Sequence, residues 1–343
     1  MDGEANNRVL YWDVIKCIAI YLVIWQHCIR TLTTGFEWDD VVNKWIVSFH
    51  MPFFMMVSGY FARSVFKPGI IDIFLRKGRQ LLLPSVSTYF FVGIILIAVR
   101  KIVFVDGLVS LIDYCSRMFW FLKALFIFYL LTTILITLFK NGRYMSLSLI
   151  ILGGAIIPTE GLNYVNCIAM YPFFLMGLLY YKYEDHILKH QIAIALLSLS
   201  IYIVMSYFND VVDYQIYTNF FSWSSHGINV FIVRTIIGIS ASLFLILLIR
   251  AICIKLGTNH LLMLMGNIGT CTLGIYVFQY YLAERLLILT KDKYEPIIAH
   301  FSNWAIDLIV APFYSFVVLL FCCQLVKLVR INRYTRLIVL GEK

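Results

Sequence analysis

Charge is scarce in this chain. Asp, Glu, Lys and Arg make up 14% of its 343 residues, where a soluble globular domain carries about 25%. No hydrophilic stretch is long enough for a separate soluble domain, and so apolar a composition excludes a disordered chain as well. CxxC spacing is missing, and the eight cysteines show no other metal-ligand pattern. Cys17, Cys28, Cys167, Cys253, Cys271, Cys322 and Cys323 lie in or beside apolar runs, as small buried hydrophobes do, so neither a metal nor a disulfide is inferred. A basic cluster on a soluble nucleic-acid-binding pattern is also missing. The opening MDGEANNR is acidic and polar, unlike a secretory signal, so the first apolar run is expected to remain as a spanning helix.

What the chain does have is hydrophobicity. Apolar residues reach 61% and the mean hydropathy is +0.85. A bilayer crossing needs about 20 apolar residues. The pattern predicts an all-α, polytopic membrane protein with about ten transmembrane helices, near 10–30, 42–62, 80–104, 118–139, 145–159, 164–181, 191–208, 228–250, 264–288 and 303–327. Residues 1–343 are read as a single membrane domain, without internal repeats. Ten crossings put both termini on one side. Of the 28 Lys and Arg, 17 fall on that side, ten fall opposite, and Lys16 lies inside the first helix. The acidic residues tilt the other way. The positive-inside bias therefore predicts cytoplasmic termini, with the loop 63–79 and the tail 327–343 as its strongest support.

Ionisable residues inside spanning helices cost roughly 2.5–3.5 kcal/mol each at mid-bilayer and are functional candidates by default. The first helix, LYWDVIKCIAIYLVIWQHCIR, holds three: Asp13, Lys16 and His27. Asp13 and Lys16 are helical neighbours. Eleven residues from Lys16 to His27 return to within about 20° of one face, with a rise of about 16 Å. One reading is interfacial, with Lys16 snorkelling to the cytoplasm beside Asp13. The other is a conduit: a cation holds an anionic ligand at the cytoplasmic mouth, and an imidazole, whose ordinary pKa of about 6.5 suits a general base, meets its far end. In the second helix, SFHMPFFMMVSGYFA, His50 falls on the same membrane side as His27. Pro52 suits a first helical turn, and Ser58-Gly59 permits close helix approach. The stretch 207–227, aromatic and holding Asp210, Asp213 and His226, is expected to face outward. It is an aromatic belt or a sugar site. His186, His190, His260 and His300 fall in predicted loops and are read as solvated.

These strings together resemble the acyltransferase family 3 of integral-membrane acyltransferases, and within it the fucose 4-O-acetylase-like and polysaccharide O-acetyltransferase branch. The family's first helix has a basic residue, ten residues and a histidine, here Lys16 to His27 with Asp13 before them. Its second has a phrase like FHMPLFFFLSG, here FHMPFFMMVSG from Phe49 to Gly59. RKGRQLLLPS follows, with Arg76, Lys77, Arg79 and Pro84. WFLKALF begins at Trp120, PFFLMGLL at Pro172, and GNIGTCTLGIYVFQ ends at Gln279. The resemblance covers roughly 8–285. One departure is Gln279, where many relatives have histidine, so no base is assigned to the ninth helix.

The resemblance implies acyl transfer from cytoplasmic acyl-CoA, by default acetyl-CoA with succinyl as a variant, to a hydroxyl of a carbohydrate acceptor such as a surface polysaccharide. It implies a bacterial plasma membrane as the location. Catalysis then falls to His27 as general base, or as an acylated nucleophile, with His50 assisting. Donor binding falls to Asp13, Lys16, Ser58, Arg76, Lys77, Arg79 and Trp120, the last as a channel wall. The competing class is a transporter or flippase of a glycan or small metabolite, which needs no paired histidines opposite cations.

Overall fold

A computed structural model describes residues 2–33, 41–66, 69–88, 90, 119–138, 170–208, 225–257 and 259–342. Among these residues all regular structure is helical. The elements are α1 (Asp2–Leu32), α2 (Val41–Tyr60), α3 (Ile70–Lys77), α4 (Trp120–Leu138), α5 (Tyr171–Lys182), α6 (Glu184–Lys189), α7 (Gln191–Phe208), α8 (Ser225–Leu256), α9 (His260–Gly269), α10 (Thr272–Gln279), α11 (Lys291–Ile298), α12 (Ala311–Ile331) and α13 (Arg333–Leu340). A 3₁₀ turn, Arg63–Phe66, precedes α3. Three π-type turns interrupt the helical rods: Gly78–Leu82 after α3, Tyr280–Leu286 after α10 and Ile306–Val310 before α12. Such wide turns concentrate at functional sites, and the first two here hold Arg79 and Glu284, discussed below.

Among the described residues, five helical stretches are long and apolar enough to cross a membrane: Leu10–Leu32, Trp120–Thr137, Gln191–Phe208, Phe231–Leu256 and Asn303–Ile331. A broken pair, His260–Gly269 with Thr272–Leu289, bent by 67°, makes a sixth if it is taken as one span. The expected ninth helix is therefore two helices. Gly269 explains the break, because a Cβ there would lie 1.9 Å from the backbone oxygen of Asp13, so the chain crosses α1 in backbone contact and turns away. The expected helix 145–159, the stretches 91–104 and 164–169, and 209–224 lie outside the described residues. Pro52 lies in the interior of α2 rather than in its first turn, because that helix already starts at Val41.

α1 is the central post. It packs on α2, α8, α9, α10 and α12 and contributes Ile15, Ile20 and Ile24, each fully buried, to the core. α2 meets α5 more closely than side chains would allow. A Cβ on Gly59 would sit 2.0 Å from the Phe174 oxygen, and one on Gly177 1.9 Å from the Met56 oxygen. Small residues at this spacing let backbones touch where lipid supplies no hydrophobic drive. α7 is the opposite case: its apolar side chains, Leu196, Leu197, Tyr207 and Phe208 among them, face outward, as a lipid-facing helix requires. Histidines 186 and 190 lie on and just after α6, and His260 starts α9. These three and His300 are exposed.

Candidate active site

The unbroken α1 carries polar groups at two levels. At the lower level Lys16 Nζ donates to Asp13 Oδ1 at 2.8 Å and stands 4.0 Å above the Phe61 ring, so the ammonium is held by a carboxylate and an aromatic face together. A rigid frame surrounds the pair. Trp12 stacks on Tyr60 with 3.7 Å between ring centroids. Tyr11 and Tyr60 both donate to the buried Glu184, each at 2.9 Å. α1, α2 and α6 are thereby pinned at one end of the molecule. Glu184 reads as a loop residue in the sequence.

At the upper level His27 Nδ1 lies 3.3 Å from Glu284 Oε2, an ion-pair distance rather than an aligned hydrogen bond. The other oxygen of Glu284 accepts from Arg30 Nη2 at 3.0 Å. Glu284 comes from the π-type turn after α10, the continuation of the helix whose Gln279 departs from the family pattern. The carboxylate faces Nδ1 of the imidazole and not Nε2. His50 is the electrostatic neighbour of His27 and of Arg234. Its Nδ1 is 2.9 Å from the Ile46 oxygen. A carbonyl only accepts, so Nδ1 carries the proton and Nε2 the lone pair. Arg234, counted from sequence with the outer charges, is instead buried at 3% exposure and donates to the Val47 oxygen at 2.8 Å. Asn43, one turn before Val47 in α2, is fully buried, and among the described residues its amide has no partner.

The third group is the basic turn. Arg76 pairs with Asp72 at 3.4 Å. Lys77 donates to Gln80 Oε1 at 3.2 Å and lies 4.1 Å over the Tyr129 ring. Burial, and then the neighbouring Arg76 charge, bring the Lys77 ammonium down to about 8. Arg79 belongs to the π-type turn Gly78–Leu82. The 3₁₀ turn packs on α4 and joins this group to the Lys16 end. Among the described residues no hydrogen bond or ion pair links Lys16 directly to Arg76, Lys77 or Arg79.

The structure thus brings Asp13 to Lys16, and His27 to His50. Ser58 donates to the Phe54 oxygen of its own helix at 2.9 Å, a packing arrangement. Trp120 opens α4, half-buried, directly after Phe119. Phe119 has a left-handed backbone, φ 51°, and packs on the rings of Tyr276, Tyr280 and Tyr281. A bulky residue in that conformation is strained, and such strain gathers at functional sites. Glu284 and Arg30 are site residues that sequence reading missed. The available signal was an acid inside the apolar run YYLAERLLIL. In the 207–227 stretch, 209–224 and the side chain of His226 lie outside the described residues.

An acyltransferase-domain family model, Acyl_transf_3, matches residues 9–327. The nodulation protein NolL of Mesorhizobium japonicum is 32% identical over 192 residues, covering 51% of this chain and 48% of that protein. The NolL protein of Sinorhizobium fredii is 29% identical over 187 residues, covering 51% and 50%. The chain therefore spans about half the length of these curated relatives. No solved structure matches it.

Proposed function

Because the chain belongs to the acyltransferase 3 family, we propose that it moves an acyl group, by default acetyl, from cytoplasmic acyl-CoA to a hydroxyl of a carbohydrate acceptor, with His27 as general base. The observation that carries this reading is the two-level arrangement of α1. A cation–carboxylate pair, Lys16 and Asp13, and an imidazole, His27, lie on one uninterrupted helix, about 16 Å apart by its rise, and the turn after α10 brings the carboxylate of Glu284 to that imidazole. A slender pantetheine arm has comparable length. Its phosphates meet Lys16 and the basic turn, and its thioester meets His27.

The chemistry follows from those positions. His27 Nε2 takes the proton of the acceptor hydroxyl as that oxygen attacks the thioester carbonyl. The new C–O bond forms, the C–S bond breaks, and the imidazolium returns the proton to the departing coenzyme thiolate. Glu284, paired on its other oxygen with Arg30, stabilises the imidazolium between the two transfers and holds the ring orientation. His50 Nε2, free to accept, orients the acceptor through a second hydroxyl. The reading places the enzyme in a bacterial plasma membrane, residues 1–343 forming one domain with the Lys16 end toward the cytoplasm. The acceptor enters from the other side. Transport without chemistry gives no reason for an imidazole–carboxylate pair opposite a phosphate-binding end.

The test is titration of wild-type, His27→Ala and Lys16→Ala protein with acetyl-CoA, reading binding and slow hydrolysis to free CoA. The expected result is binding by wild type and His27→Ala, hydrolysis by wild type alone, and weakened binding by Lys16→Ala. Hydrolysis by His27→Ala at the wild-type rate removes His27 from the chemistry. Failure to bind any acyl-CoA moves the transporter reading to first place.

A further inference from the structure

α13 and Glu342 lie beyond residues 9–327, the part that matches the family, yet they do not hang free. The segment folds back across the end of α12 and docks on the basic turn. Gly341, with φ +65°, rests on the backbone of that turn, where a Cβ would come within 2.2 Å of the Arg79 oxygen and 2.9 Å of the Gln80 Cα. Ser87 Oγ donates to the Ile338 oxygen at 2.6 Å. Leu340 is buried over Gly274 of α10. Glu342 is clamped by Arg330, at 3.0 and 2.6 Å. Four separate contacts thus hold this segment against residues 79–87, against α10 and against Arg330 of α12.

This docking brings Arg336 to the basic turn. The Glu342 amide donates to the Arg336 oxygen at 3.4 Å, and Gly341 beside it touches Arg79, so the two arginine backbones are separated by one short link. Both side chains are half-buried. The Nε of each is shut away from solvent and has no acceptor among the described residues. The neighbouring carboxylates are already engaged, Glu342 by Arg330 and Asp72 by Arg76. Two arginines whose backbones are brought this close, each with a buried Nε donor unanswered among the described residues, call for a multidentate anion. Phosphate fits the fork of donors that arginine presents, whereas a single carbonyl does not.

We propose that α13 completes the donor site: Arg336 joins Arg79 to hold a phosphate of the coenzyme, so that a segment outside the matched family region supplies part of the acyl-donor affinity. This rests on the acyl-CoA reading above.

The experiment measures the dissociation constant of CoA for wild-type, Arg336→Gln, Arg79→Gln, Arg333→Gln and Gly341→Val protein, in nanodiscs of phosphatidylcholine and again with phosphatidylglycerol added. Arg333 is exposed on the same helix and serves as the control for general charge. The expected result is a rise of about tenfold or more for Arg336→Gln and for Arg79→Gln in both lipids, with Arg333→Gln within twofold of wild type. Gly341→Val undocks α13 and reproduces the Arg336→Gln loss, if its thermal unfolding shows it folded. If it is not folded, Arg336→Gln decides alone. Wild-type affinity in Arg336→Gln overturns the proposal, as does an equal loss in Arg333→Gln. A loss seen only with phosphatidylglycerol present assigns Arg336 to a lipid headgroup and overturns it too. Absence of CoA binding by the wild type defeats the acyl-CoA reading itself, a distinct outcome.

Discussion

Replacing Glu284 by glutamine keeps the shape of the residue and removes its charge, which isolates what the carboxylate does for His27. The two groups stand 3.3 Å apart. With an effective dielectric of about 20, unit charges at that separation attract by about 5 kcal/mol. Side-chain exposures of 23% for His27 and 14% for Glu284 mean that solvent screens part of this, and about 2 kcal/mol remains, between the roughly 1 kcal/mol of an exposed pair and the roughly 3–5 kcal/mol lost on breaking a buried one. That remainder acts only once the imidazole has taken the acceptor proton, so it belongs to the transition state rather than to donor binding. The expected loss is therefore about 30-fold in kcat. A second effect adds to it. The glutamine amide donates where the carboxylate only accepts, and a donor at Nδ1 favours the tautomer protonated at Nε2, which cannot act as base. Turnover is followed by release of free CoA from acetyl-CoA, and donor affinity by titration of the same samples. An activity within threefold of wild type refutes the pairing as a catalytic element. A matching fall in CoA affinity refutes the division of labour between the two levels of α1.

Lys77 gives a pH signature. Its ammonium is depressed to about 8 by burial and by Arg76, and the charged form exists below that value. Donor affinity that uses Lys77 is therefore complete near pH 7 and declines as pH rises through about 8, far below the ordinary lysine range. Lys77→Arg should hold affinity constant between pH 7 and 9, and a pH-independent wild type refutes the role. Gly177→Val tests the α2–α5 contact, because its Cβ would stand 1.9 Å from the Met56 oxygen and 2.8 Å from the Tyr60 nitrogen. Both are backbone atoms that cannot rotate away. Overpacking of this kind costs about 1–3 kcal/mol or more, so the thermal midpoint in detergent should fall. An unchanged midpoint contradicts the packing.

Individual residues show how much of the site was legible. Asp13, Lys16 and His27 stand out because they interrupt a run of apolar residues, and a periodicity of 3.6 is enough to place them along one rod. Arg234 and Glu284 do not stand out. Each sits near the end of an apolar run, where a charge reads as interfacial, and only the packing of α8 on α2 and of the rod after α10 on α1 turns them inward. The tail reads as a basic cytoplasmic flank. Its helical turn-back depends on Gly341 finding the Arg79 backbone, a contact between residues more than two hundred positions apart.

Composition and periodicity determine that this chain is helical and made to cross a membrane, because burial in lipid demands apolar runs with internally satisfied backbones. They also determine that α1 carries a cation at one level and an imidazole at another. Tertiary structure decided which carboxylate meets that imidazole, where the ninth rod breaks, and that the C-terminal helix closes over the basic turn. The reason is physical. A side chain's spacing along its own helix is local, whereas an ion pair or a glycine contact needs a partner that only packing can deliver.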